Sequence, residues 1–211
     1  MSTVGEVAGL RRFLAPREGR ASAPAERCDL CAAEIPAEHP HLVHTGERSL
    51  RCACRACALL FSGRTDGVRT VPDRWLADSR FVLTDGQWDA LQIPVGLAFF
   101  LESSATGGVV ACYPGPAGAT ESELDLRAWA DGVGAGRLAA LLEPDVEALL
   151  VRRDAEPGAA TSCLLVPIDA CYRLVGLVRR HWRGFDGGAE AWQHVDAFFA
   201  DARARAREVD P

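Results

Sequence analysis

Lysine and asparagine are both absent from the 211 residues, and all 23 basic side chains are arginine. With abundant alanine and glycine, this bias is the mark of a GC-rich genome and carries no mechanism. The N-terminus has no apolar run of signal-peptide kind, and no stretch approaches the length of a membrane span. A reducing compartment, the cytoplasm, is therefore expected, where structural disulfides are rare. Basic charge is in deficit: the net charge is −6 and the isoelectric point about 5.4. That argues against a general nucleic-acid binder, because phosphate contacts supply most of such affinity. Local basic spots are left to places such as Arg48, Arg51 and Arg55. Catalytic signatures are missing as well: there is no serine elbow, no HExxH and no Rossmann fingerprint. The Gly-rich GFDGG at 184–188 lacks the Gly-Lys-Ser/Thr ending of a phosphate loop and joins helix to helix, so it reads as a helix stop and cap.

Cysteine, in contrast, is plentiful: there are eight. Five fall in CDLCAAEIPAEHPHLVHTGERSLRCACRAC, residues 28–57. Cys28/Cys31 and Cys54/Cys57 are two Cys-x-x-Cys pairs, 22 residues apart. Such a turn lets two thiolates converge on one cation while backbone amides hydrogen-bond the sulfurs. Two turns together make a tetrahedral sulfur site that suits Zn²⁺ and can also hold a single iron. The gap is slightly longer than the usual ribbon range. A thioredoxin-type redox pair would need one motif at a strand-to-helix junction, not two around a turn-rich insert. The ligand set read from the spacing is Cys28, Cys31, Cys54 and Cys57. Cys52 is the ambiguous member; it could replace Cys54, but a four-residue step to Cys57 is the less common knuckle. His39, His41 and His44 lie in the insert. Four thiolates already close a site, so these histidines read as exposed polar residues, with a Cys₃His set as the alternative.

Around this module the chain reads as α+β. Residues 1–27 carry a weak amphipathic pattern (Val7, Leu10, Phe13, Leu14) and then a Pro/Ala/Ser-rich linker. The metal module spans 28–61 and ends in the apolar Ala58-Leu59-Leu60-Phe61, which is expected to dock on the remainder, against Trp75–Leu76. The α+β domain covers 62–211. Its strand candidates are 94–101, 108–113, 146–151 and 162–166. A helix is expected to start at Thr120 with a Thr120/Glu123 capping box, or alternatively at Asp125 with Leu126, Trp129 and Val133 on one face. Helical spacing covers 168–182 and returns from Trp192 to Ala202. The expected architecture is a small zinc-ribbon-like module followed by one antiparallel sheet of about four strands, with helices packed on one face. Cys112, Cys163 and Cys171 sit on apolar strands or helix faces and read as buried, unreactive thiols. His181 and His194 read as satisfied or solvent-facing. The carboxylates Asp145, Glu147, Asp154 and Glu156 flank a strand and read as solvated.

Several stretches together carry a resemblance: CDLC and CACRACALLF, then VPDRW, IPVGLAFF, YPGPAGATESEL, EPDVEALLV and VPIDACYRLVGLVRRHWRGFDGG. The chain from about Cys28 to Phe199 resembles a bacterial family catalogued as a domain of unknown function. Its members occur in gene clusters for high-affinity, oxygen-tolerant nickel–iron hydrogenases. The Gly-rich ADGVGAG at 130–136 departs from the regular helix expected there. The resemblance implies an accessory role in hydrogenase assembly or electron transfer, with hydrogenase subunits or maturation factors as partners; it supplies no catalytic residues. The expectation is a metal-binding accessory protein, not an enzyme, with a structural Zn site. The alternative is a rubredoxin-like iron electron carrier using the same four cysteines. Rubredoxin knuckles usually place glycine after the second cysteine and aromatics around the metal. Here Ala32 and Ala58 stand in those positions and the insert has no aromatic residue, which favours zinc.

Overall fold

The computed structural model describes residues 25–63, 67–115, 117–153, 161–184 and 187–209. The amphipathic segment and most of the linker expected at the N-terminus lie outside the described residues, as do Asp154 and Glu156. The described residues form two sheets. The larger has seven strands: β4 (Leu76–Ala77), β5 (Leu97–Ser103), β6 (Gly108–Gly115), β7 (Gly118–Ser122), β8 (Glu147–Arg152), β9 (Ser162–Pro167) and β10 (Arg207–Glu208). Their order is β10-β4-β9-β8-β5-β6-β7, with β10 parallel to β4 and every other pairing antiparallel.

The four expected strands are its centre. Their side chains alternate between two cores, as period-2 geometry requires. Leu97, Phe99, Ala148, Leu150, Leu164 and Val166 face one side. Ala98, Phe100, Leu149, Val151, Cys163 and Leu165 face the other. Two long helices, Ile168–His181 and Gly188–Arg205, cover the first side through Cys171, Leu174, Val178, Val195, Phe198 and Phe199. Placing all helices on one face holds for these two only. The opposite face is closed by short helices at Asp85–Ala90 and Leu126–Asp131 and by two 3₁₀ turns, Val133–Ala135 and Ala139–Leu141. The reason is visible in β5 and β8: a continuous apolar run has no polar face to give to water, so both sides must be covered.

The second helix start is the one realised. Gly118–Ser122 is β7, paired with β6, so Thr120 caps nothing. Asp125 caps Leu126–Asp131 instead, its Oδ1 accepting from the Arg127 and Ala128 amides at 2.8 and 3.3 Å. The ADGVGAG irregularity follows from packing: a Cβ on Gly134 would lie 2.8 Å from the Trp129 indole nitrogen. A capping box of Thr84 and Gln87 opens Asp85–Ala90.

The smaller sheet belongs to the cysteine module. β1 (His41–His44) pairs antiparallel with β2 (Ser49–Cys52) and with β3 (Val68–Thr70), in the order β2-β1-β3. The third strand thus lies past residue 61. Numbered along the chain, the helices are α1 (Arg55–Leu60), α2 (Asp85–Ala90), α3 (Leu126–Asp131), α4 (Ile168–His181) and α5 (Gly188–Arg205). The docking expected of Leu59, Leu60 and Phe61 is not found. Leu59 and Leu60 on α1 are 66% and 63% exposed, while Ala58 and Phe61 pack into the module's own core with Cys28, Ile35 and Leu42. A six-residue helix capped at Cys54 presents one side to that core and the other to solvent. The module is fastened elsewhere. Val43 enters the large core beside Ile168, and Leu50 packs against the same cluster. His41 pairs with Asp169 at 2.8 Å, Arg48 with Glu121 at 2.6 Å and Arg69 with Glu143 at 3.2 Å.

Two carboxylates expected in solvent are buried. Glu147, fully inaccessible, is gripped by Arg74 through two hydrogen bonds of 2.7 and 2.5 Å and accepts the Glu143 amide at 2.9 Å. Asp145 accepts the Ser104 amide at 2.9 Å. Their charge is met by fixed donors, which is what permits burial.

Candidate metal centre

Residues 28–33 make a tight turn. The Cys28 amide donates to the Ala33 carbonyl and the Ala32 amide to the Cys28 carbonyl, both at 2.8 Å. Ala32 closes it with φ = 60°, the left-handed conformation normally left to glycine. The second pair is built differently. Cys54 is the N-cap of α1, its sulfur accepting the Cys57 amide at 3.4 Å, so Cys57 sits on the first turn of the helix. Between the pairs, the β1-β2 hairpin returns the chain; the Asp29 amide bonds the Cys52 carbonyl at 2.9 Å and the Asp29 carboxylate takes the Cys52 amide at 2.7 Å.

This closure brings together Cys28, Cys31, Cys54 and Cys57, the four cysteines chosen from the spacing. Their sulfurs all lie within 4.8 Å of one another, and Cys31 and Cys54 are 3.7 Å apart. A tetrahedral Zn–S distance of about 2.3 Å requires sulfur–sulfur edges of about 3.8 Å. The donor set therefore fits a tetrahedral thiolate-bound ion with little adjustment. The electrostatics favour a cation as well. Burial opposes ionising Cys28, but amide hydrogen bonds from Cys54, Leu30 and Cys31 outweigh it and bring the thiol down to about 6. Cys54 is lowered, chiefly by the Cys57 amide. Cys57 is pushed up to about 12 by its hydrogen bond with the Cys54 sulfur and by burial. At Cys31 the Ala33 amide favours the thiolate, yet the sulfurs of Cys28 and Cys54 raise it overall. Four thiols this close cannot all ionise without a positive charge among them.

Cys52 stays outside this set. The remaining cysteines are disfavoured as thiolates: burial pushes Cys112 up to about 12 and holds Cys163 and Cys171 well above the usual thiol range. The insert histidines depart from expectation. His39 and His41 are largely covered, and with Cys52 they form a second group of potential ligands that spacing did not reveal. A cavity of about 210 Å³ between the hairpin and the large sheet is lined by Val43, Arg48, Phe99, Cys112, Glu121 and Tyr172.

The fold and the site define a mixed α+β protein with a four-cysteine, zinc-ribbon-like centre whose clustered sulfurs suggest metal binding. Over residues 27–206 the chain matches the family of unknown function DUF5947, and it belongs to that family. Comparisons with curated proteins and with solved structures give no match. Among the described residues no helix is long and apolar enough to cross a membrane.

Proposed function

We propose that this is a non-catalytic accessory protein in which Zn²⁺, held by Cys28, Cys31, Cys54 and Cys57, fixes the module that meets a protein partner. The observation that carries this reading is the closed set of four sulfurs: an ion with every tetrahedral position filled by protein has no position left for a substrate and is structural. The disfavoured thiolates of Cys112, Cys163 and Cys171 support a non-enzymatic role. Exposed Leu30, Leu59 and Leu60 all lie on the module and offer apolar contacts to a partner. The partner proposed, a nickel–iron hydrogenase subunit or maturation factor, comes from the family resemblance in gene neighbourhood. The protein would support assembly or operation of that enzyme from the cytoplasm.

One observation favours a second reading, a mononuclear iron electron carrier. Ala32 adopts the left-handed turn that glycine serves in rubredoxin knuckles, so its identity does not exclude that geometry. Elemental analysis and the visible spectrum of aerobically purified protein separate the two. One zinc retained against a weak chelator and a colourless protein are expected; one iron with thiolate charge-transfer bands would establish the carrier, and no metal would refute both. Co-purification of tagged protein with hydrogenase subunits tests the partner, and failure to retain any subunit would remove it.

A further inference from the structure

We propose that His39, His41 and Cys52 form a second metal site, distinct from the four-cysteine centre, which takes an exchangeable divalent cation such as Zn²⁺ and leaves its fourth coordination position open. The backbone places the three together. His41 and Cys52 are directly opposed in the β1-β2 ladder, so their side chains share one face of the hairpin. His39 precedes His41 by two residues, and its ring centroid lies 4.6 Å from that of His41. One ligand atom from each of the three residues lies within 4.8 Å of the others. Bonds of about 2.0–2.1 Å to nitrogen and 2.3 Å to sulfur would draw these donors in by about 1 Å, a side-chain adjustment.

The hydrogen bonds around the two rings point to a ligand. His41 Nδ1 meets the Asp169 carboxylate at 2.8 Å, and His39 Nδ1 meets the Pro36 carbonyl at 2.9 Å. A carboxylate and a backbone carbonyl are the two partners that most often orient metal-ligating histidines; with an N–H given up at Nδ1, the Nε2 lone pair is free to coordinate. His39 Nε2 is buried, on a side chain only 6% exposed, and has no hydrogen-bond partner. An isolated buried ring nitrogen is a donor aimed at something absent. Three protein ligands with an open position mark exchangeable or substrate-accessible ions, whereas closed four-ligand sites are structural. Asp169 lies in the first turn of α4, so an ion here would sit at the seam between the module and the large domain.

The test is titration of metal-stripped, reduced full-length protein with Co²⁺ alone, read by thiolate charge-transfer and ligand-field absorption. Two equivalents per chain are expected, one of them released first by a weak chelator. His39→Gln/His41→Gln and Cys52→Ser should each bind one equivalent, with the four-thiolate spectrum intact; that spectrum also reports that the module has folded. Saturation of the unaltered protein at one equivalent would overturn the proposal. So would two equivalents in the variants, which would move the second ion to His181, Glu190 and His194, grouped on α4 and α5. Loss of both ions in Cys52→Ser would place Cys52 in the first cluster and likewise refute it.

Discussion

At the scale of single residues, the sharpest expectations concern the four clustered cysteines. Cys54→Ser is expected to abolish metal in the four-cysteine centre, because it removes both a ligand and the sulfur that caps α1. Cys52→Ser should leave that centre's metal in place; elemental analysis with the spectrum of the bound ion reads both. Ala32 is the strained position of the first turn. Ala32→Gly relieves a left-handed alanine, worth about 1–2 kcal/mol, and returns part of it as unfolded-state entropy, about 0.4–1 kcal/mol. A net gain of roughly 0.5–1 kcal/mol in urea denaturation of the metal-bound protein is expected. The buried Glu147 works in the opposite direction. Arg74→Met would leave its carboxylate uncompensated in the core, and a loss of about 3–5 kcal/mol in the same assay is expected.

At the scale of elements, α1 overturns an expectation and yields a prediction. Leu59 and Leu60 point to solvent, so Leu59→Ser/Leu60→Ser should change stability by no more than about 0.5 kcal/mol. Metal content should not change, and recovery of a bound partner should fall. The elements legible in the sequence were those with enough length to show a period. β5, β6, β8 and β9 announced themselves as apolar runs, and α4 and α5 as 3.6-residue stripes. The cysteine pairs were legible because metal-ligand geometry is local. β4 and β10, two residues each, have no period, and their place is decided by partners far away: Leu165 for Leu76, and Leu76 for Arg207. β7, GATES, has turn-like composition and is a strand only because β6 offers it an edge. Glu147 looked like a surface carboxylate, since nothing nearby in sequence reveals that Arg74 reaches it.

At the scale of the whole molecule, the hairpin is the connection between the cysteine cluster and the large core. Leu42 on β1 packs into the cysteine module, while neighbouring Val43 packs into the large core. An ion bound only in the folded state adds its binding free energy to the stability of whatever folds with it. Stripping the ion should therefore lower the thermal transition seen by Trp75, Trp88, Trp129, Trp182 and Trp192, none of which lies in the 28–61 module. A linked loss of about 3 kcal/mol corresponds to roughly 6–12 °C at this size. An unchanged tryptophan transition after verified metal loss would mean the hairpin contacts transmit nothing.

The strand order also sets a sequence of events in time. The four clustered cysteines all lie between Cys28 and Cys57, and the strand pair that brings them together is a local hairpin. The large sheet cannot be completed until β9 and β10 exist, because β4 lies between them. Ribosomes add roughly 5–20 residues per second, so about 150 residues and on the order of 10–30 s separate Cys57 from Glu208. During that interval the thiols can take their ion while the nascent chain still lacks the surface that later holds the hairpin. An ion held by these thiols would thus find its four sulfurs in place before the strands that close the large sheet have been made.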